Sequence, residues 1–107
     1  MMRTVILSKQ AERKLNTLLE YLEKEWSAKV KQDFILNLDA CFEAIKTYPE
    51  SFTRSDFVKG LHQCSVTKQN TIYYTFDESS IFVITLFDTR QNPKKLKKEI
   101  TKRNLER

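Results

Sequence analysis

The stretch "TIYYTFDESSIFVITLFDTRQNP", residues 71–93, decides the fold. In "TIYYTF" (71–76), Ile72, Tyr74 and Phe76 recur at every second position, which is the period of a strand with one buried face. Asp77-Glu78-Ser79-Ser80 carries turn chemistry. "IFVITLF" (81–87) is apolar on both faces, so it belongs at the centre of a sheet, covered at least in part on both sides. The apolar run then stops. Asp88-Thr89-Arg90-Gln91-Asn92-Pro93 leads directly into four lysines within five residues, Lys94, Lys95, Lys97 and Lys98. Such an ending either mounts a polar site and a charged arm on a core strand, or simply passes into a solvated tail.

Upstream, "VKGLHQCSV" (58–66) reads as a further strand, its start weakened by Gly60, and Lys68-Gln69-Asn70 turns it into 71–76. The three strands have hairpin-length turns and form an antiparallel meander. "ESFTRSDF" (50–57) has no clear period and reads as a loop. Before it the period is helical. Ser8 offers an N-cap with Glu12 in the first turn, and Ala11, Leu15, Leu18, Leu22 and Trp26 form one stripe. Ser27 caps a second helix with Val30, Phe34, Leu38, Cys41 and Ile45, closed by Tyr48-Pro49 because the residue before Pro is pushed out of the α region. Trp26 is expected to cap the hairpin that the two helices form. "RTVIL" (3–7) is a first short strand.

The expected fold class is α+β in the order β-α-α-β-β-β. An N-terminal helix hairpin packs on one face of a mainly antiparallel four-stranded sheet. The domain spans 1–93 and the basic tail 94–107. Pro93 suits the first turn of a helix, and Leu96 and Ile100 lie at i, i+4, but so narrow an apolar face does not hold a helix alone. Unless the tail folds back, Thr71, Tyr73 and Thr75 line a half-open surface on the face away from the hairpin.

Net charge is +5 over 107 residues, and residues 94–107 alone carry seven basic and two acidic side chains. The body is therefore neutral, and the charge reports an arm suited to an acidic partner. Cys41 and Cys64 lie in no metal or redox motif and read as small buried hydrophobes. Glu50, Asp56, Asp77 and Glu78 fit no metal spacing, and the single Gly leaves no phosphate loop, so neither metal nor cofactor is expected. No run is apolar enough for a secretory leader or a membrane span, which makes cytoplasm the default location and membrane an unexpected partner.

Three segments, in this order and spacing, resemble the RelE/ParE superfamily of toxins from type II toxin–antitoxin modules, and the ParE-like branch most. They are "VILSKQAERKLNTLLEYLEKEW", "IKTYPESF" and "IYYTFDESSIFVITLFDTRQNP", the last with its strand followed by Arg-x-Asn-Pro. The resemblance implies a small cytoplasmic toxin, of the kind tied to plasmid stabilisation, that is neutralised in a hetero-oligomer with a cognate antitoxin. ParE-like toxins poison DNA gyrase by binding; RelE-like toxins cleave mRNA on the ribosome.

Cleavage through a 2′-hydroxyl needs a base, a cation and an acid. RelE-like toxins place a Tyr or His near the C-terminus, and residues 91–107 hold neither. The expectation is therefore a gyrase inhibitor without catalytic residues, with Arg90, Asn92, Lys94, Lys95, Lys97 and Lys98 binding the target. The alternative, a ribosome-dependent endoribonuclease, would rest on Arg90 and His62. For His62, a partly buried ring satisfied by hydrogen bonds is the plainer expectation. Arg90 is expected either to pair with Asp88, in a turn that Asp88 and Asn92 organise, or to face the target; the two are compatible.

Overall fold

The computed structural model describes residues 3–54 and 60–105, with side chains described as far as residue 100. Strand β1 (Thr4–Leu7) leads into helix α1 (Lys9–Glu25), and helix α2 (Ala28–Thr47) follows after two residues. Ser8 and Ser27 are the N-caps, their hydroxyls accepting from the backbone N–H of Ala11 and Val30. Each bond satisfies a donor that the first helical turn would otherwise leave orphaned. α2 closes at Tyr48, and Pro49–Ser51 adds a single 3-10 turn.

Strands β2 (His62–Ser65), β3 (Asn70–Phe76) and β4 (Ser80–Asp88) then form the meander. The sheet order is β1-β4-β3-β2, with β1 parallel to β4 and the other pairs antiparallel. β4 is thus central, as its two-sided apolar character requires. β2 is shorter than the expected 58–66. Arg54 bridges to His62 ahead of it, and residues 55–59, including Asp56, lie outside the described residues. In the β3–β4 turn, Asp77 Oδ1 accepts from the backbone of Ser79 and Ser80 at 2.9 and 2.8 Å, which holds its carboxyl below the usual range.

The hairpin covers one face of the sheet. Phe34, Leu38 and Ile45 of α2 meet Ile72, Tyr74, Ile81, Val83 and Leu86 in a single cluster. The buried Tyr74 hydroxyl donates to the Pro49 carbonyl at 2.7 Å, tying the centre of β3 to the end of α2. Trp26 does not cap this core. It is the C-cap residue of α1 and 67% exposed, because the chain leaves the helical region there and turns the ring outward.

The opposite face corrects the expectation of a half-open surface. Residues Pro93–Leu105 form helix α3, and its Leu96 and Ile100 are buried against Leu61, Tyr73, Ile84 and Phe87. Thr71 and Tyr73, expected on a half-open surface, are 3% and 7% exposed. The two apolar side chains suffice because the sheet supplies the other wall, so packing rather than helix propensity holds the segment. At the β1 end this face stays open, where Ile6, opposite Phe82, is 45% exposed.

A bulge in β4 makes both cores possible. Tyr74 pairs with Val83 and Tyr73 with Thr85, which leaves Ile84 as the extra residue. An extra residue reverses the in–out phase of the strand. Ile81 and Val83 before it, and Leu86 after it, therefore face the hairpin, while Ile84 and Phe87 both face α3.

Candidate target-binding site at the end of strand β4

The segment from Asp88 to Pro93 is fastened at nearly every residue. Thr89 N–H donates to Gln69 O at 2.8 Å and its hydroxyl to Lys68 O at 3.2 Å. Asp88 Oδ1 accepts from the backbone N–H of Arg90 at 2.9 Å, and Asp88 O from Gln91 N–H at 3.0 Å. Asn92 Oδ1 accepts from Lys94 N–H at 2.9 Å, the bond that opens α3 with Pro93 in its first position. A short polar run between two packed elements thereby becomes a fixed mount.

Arg90 projects from that mount. Its Nε and Nη2 donate to the two oxygens of Asp88 at 3.0 and 2.6 Å, in the fork geometry that suits a carboxylate. The pair pulls the Asp88 carboxyl below its ordinary range, and Asp88 in turn raises Arg90. The Arg90 side chain is still 67% exposed. The expected pairing with Asp88 is present, and it leaves part of the guanidinium exposed to solvent.

Arg90 stands at the rim of a groove of about 540 Å³ between α1 and the end of β4. Leu18 and Leu86 supply apolar lining, and Arg13, Lys14 and Tyr21 come from α1. Sequence reasoning missed this wall. Its signal was the row Arg13, Thr17, Tyr21 at i, i+4, i+8 beside the leucine stripe, which looks like any solvated helix face.

Lys94, Lys95, Lys97 and Lys98 are all exposed on the outer side of α3, while Leu96 and Ile100 point inward. The lysines are therefore a row on a docked helix and not a free arm. One acidic residue in the run has a separate task. Glu99 accepts from Lys14 Nζ at 2.9 and 2.8 Å, joining α3 to α1, and Lys14 Nζ also sits 5.4 Å from the centre of the Phe87 ring.

His62 and Arg90 are not brought together. His62 pairs across from Tyr74 on the edge strand, whereas Arg90 lies beyond Asp88, which pairs with Asn70 at the other end of β3. Four residues of strand separate those ends, roughly 13 Å. His62 is 5% exposed, its Nδ1 lies 3.0 Å from Phe52 O, and its ring stacks on Tyr74. Among the described residues no three His, Cys, Asp or Glu side chains gather as a metal would need, and no helix is long and apolar enough to cross a membrane.

Two solved structures share the fold. One, described as a chromosomal ParDE TA system from P. aeruginosa, superposes with a TM-score of 0.67 at 8% identity, covering 81% of this chain and 96% of that one. The YoeB dimer from Staphylococcus aureus gives 0.59 at 12% identity, covering 81% and 97%. A search of curated sequences found no match. The family model for the ParE toxin of the type II toxin–antitoxin system parDE matches residues 5–93, and the chain belongs to that family.

Proposed function

We propose that this toxin poisons DNA gyrase by binding it, and that a cognate antitoxin silences it in a hetero-oligomer. The observation that carries the reading is the Arg90 mount: a guanidinium aimed by Asp88, exposed, and seated on a central strand beside an exposed lysine row. A loop on a rigid base positions a contact well without a large protein around it. Arg90, Asn92, Lys94, Lys95, Lys97 and Lys98 form the target surface, with Asn92 acting through the helix cap it makes. No catalytic residue is invoked. The antitoxin covers the hairpin, whose Tyr21, Trp26 and Leu36 are 52%, 67% and 57% exposed. A partner segment that folds as it binds could wrap that surface.

The test is expression of the chain alone, with plasmid supercoiling and mRNA integrity followed side by side. The reading expects growth arrest, gyrase-linked DNA breaks and intact mRNA. Translated mRNA cut at defined sites, with supercoiling unchanged, would overturn it.

One observation favours the second reading, a ribosome-dependent endoribonuclease. Arg13, Lys14, Arg90 and Tyr21 line one groove, so cations that could meet a phosphate and a phenol that could pass a proton share a wall. That enzyme would use Tyr21 with Arg90 in place of the distant His62. Under it, Tyr21→Phe abolishes mRNA cutting; under the gyrase reading, Tyr21→Phe leaves arrest intact.

A further inference from the structure

We propose that Cys41 and Cys64 are an oxidisable dithiol, a modification site at which a small peroxide closes a disulfide between α2 and the edge strand β2. The two residues are 23 positions apart in sequence and belong to different layers of the fold. Cys64 Sγ donates to Cys41 Sγ at 3.2 Å, and Cys41 Sγ in turn donates to the Ser65 carbonyl at 3.2 Å. Both are free thiols. They need approach by only roughly 1 Å to reach a bonded separation of about 2 Å.

The arrangement gives the two sulfurs different parts. The hydrogen bond from Cys64 favours a thiolate at Cys41 and holds that thiol below its usual range, against the burial that pulls the other way. The same contact, with burial, pushes the Cys64 thiol up. Because the Cys64 thiol donates to Cys41 Sγ, Cys41 is placed as the nucleophile and Cys64 as the resolving group. The Cys41 thiolate attacks one oxygen of hydrogen peroxide. The O–O bond breaks, a sulfenic acid forms and hydroxide leaves. That hydroxide takes the Cys64 proton, and the Cys64 thiolate attacks the sulfenic sulfur. The S–S bond forms, the S–O bond breaks, and the departing hydroxide takes up the proton first lost from Cys41. The two sulfurs lose two electrons between them, and the peroxide ends as two waters.

Cys41 is 9% and Cys64 6% exposed, so a reagent reaches them through an opening of the sheet edge wide enough for a molecule little larger than water. β2 is the outermost strand and only four residues long, and such elements open at the low end of a protein's range of local stabilities. The bond would pin this strand to α2 and constrain the unfolded chain between the two cysteines.

The reduced full-length protein is exposed to a small excess of hydrogen peroxide, then denatured, alkylated and weighed. The expected result is a loss of about 2 Da with no alkylation and no covalent dimer. A melting midpoint higher by roughly 10 °C, reversed by a dithiol reductant, accompanies it. Cys64→Ser should instead accumulate a Cys41 sulfenic acid that dimedone captures. Two alkylatable thiols after the same exposure would overturn the proposal. So would oxygen addition without a cross-link, or cross-links between molecules only. The wild-type mass alone decides the matter if a serine variant does not fold, and the outcome is independent of whether gyrase or mRNA is the target.

Discussion

The two faces of the sheet are built on different terms. On the hairpin face, two capped helices bury a broad cluster in which Ile45, Tyr74 and Ile81 have no exposure at all. On the other, a single helix closes the sheet through Leu96 and Ile100, and its partners reduce to Leu61, Tyr73, Ile84 and Phe87. The first face is a core that carries no proposed contact with the target. The second is a thin lid whose inner side seals the sheet and whose outer side displays four lysines. Packing and the proposed target contact thus meet in one helix, and deleting that helix would disturb both at once.

The largest effects separate the faces. Ile45→Ala and Ile100→Ala should each destabilise by about 2–5 kcal/mol, since each empties a closed apolar site. Their distribution should differ. Ile45→Ala should lower protection from hydrogen exchange throughout the sheet, whereas Ile100→Ala should lower it first in α3 and at Tyr73 and Ile84. Equal, global loss in both variants would erase the distinction.

A next step divides the lid from its charges. Changing Lys94, Lys95, Lys97 and Lys98 together to Gln keeps Leu96 and Ile100 seated. Growth arrest should be lost while the melting temperature stays within about 2 °C of the parent. Truncation after Pro93 cannot make this division, because it also uncovers Phe87 and Ile84. Arg90→Ala should act in the same direction, with antitoxin binding retained, as read by co-purification and by colony counts after induction.

Smaller effects concern the fastenings. Glu99→Gln removes the charge that pairs with Lys14 and one of its two acceptor oxygens, and should cost about 1 kcal/mol or less, since both side chains keep a quarter to a third of their exposure. Urea unfolding monitored by tyrosine fluorescence would measure it. The Asp88–Arg90 pair gives a weak pH dependence. Its carboxyl is depressed in the folded chain, so its contribution is present above the ordinary carboxylate value and fades as the pH falls below about 3.8. Asp88→Asn should remove that acid-limb contribution, which the difference between the two stability–pH curves would show.

The hairpin face was legible in the sequence because stripes such as Leu15, Leu18, Leu22 and Phe34, Leu38, Cys41, Ile45 repeat at helical spacing between two serine caps. The lid was not. Ile84 and Phe87 have opposite parity in a regular strand, and only the bulge turns both toward α3. Nothing in the alternation of "IFVITLF" marks where an extra residue falls, so the patch that receives Leu96 and Ile100 is invisible until the register is known. Arg90 could be read from its place after the last strand, and its pairing with Asp88 from their spacing. Arg13, Lys14 and Tyr21 could not, since their relation to Arg90 exists only once α1 lies along the end of β4.

The central claim, that the strand end and lysine row seize gyrase, is tested most directly with purified components. Gyrase supercoiling of relaxed plasmid is followed while the full-length toxin is titrated in, with Arg90→Ala and the four-lysine variant in parallel. The account predicts inhibition with cleaved DNA accumulating for the parent and little effect from either folded variant. Undiminished supercoiling with the parent, or equal inhibition by all three proteins, would contradict it.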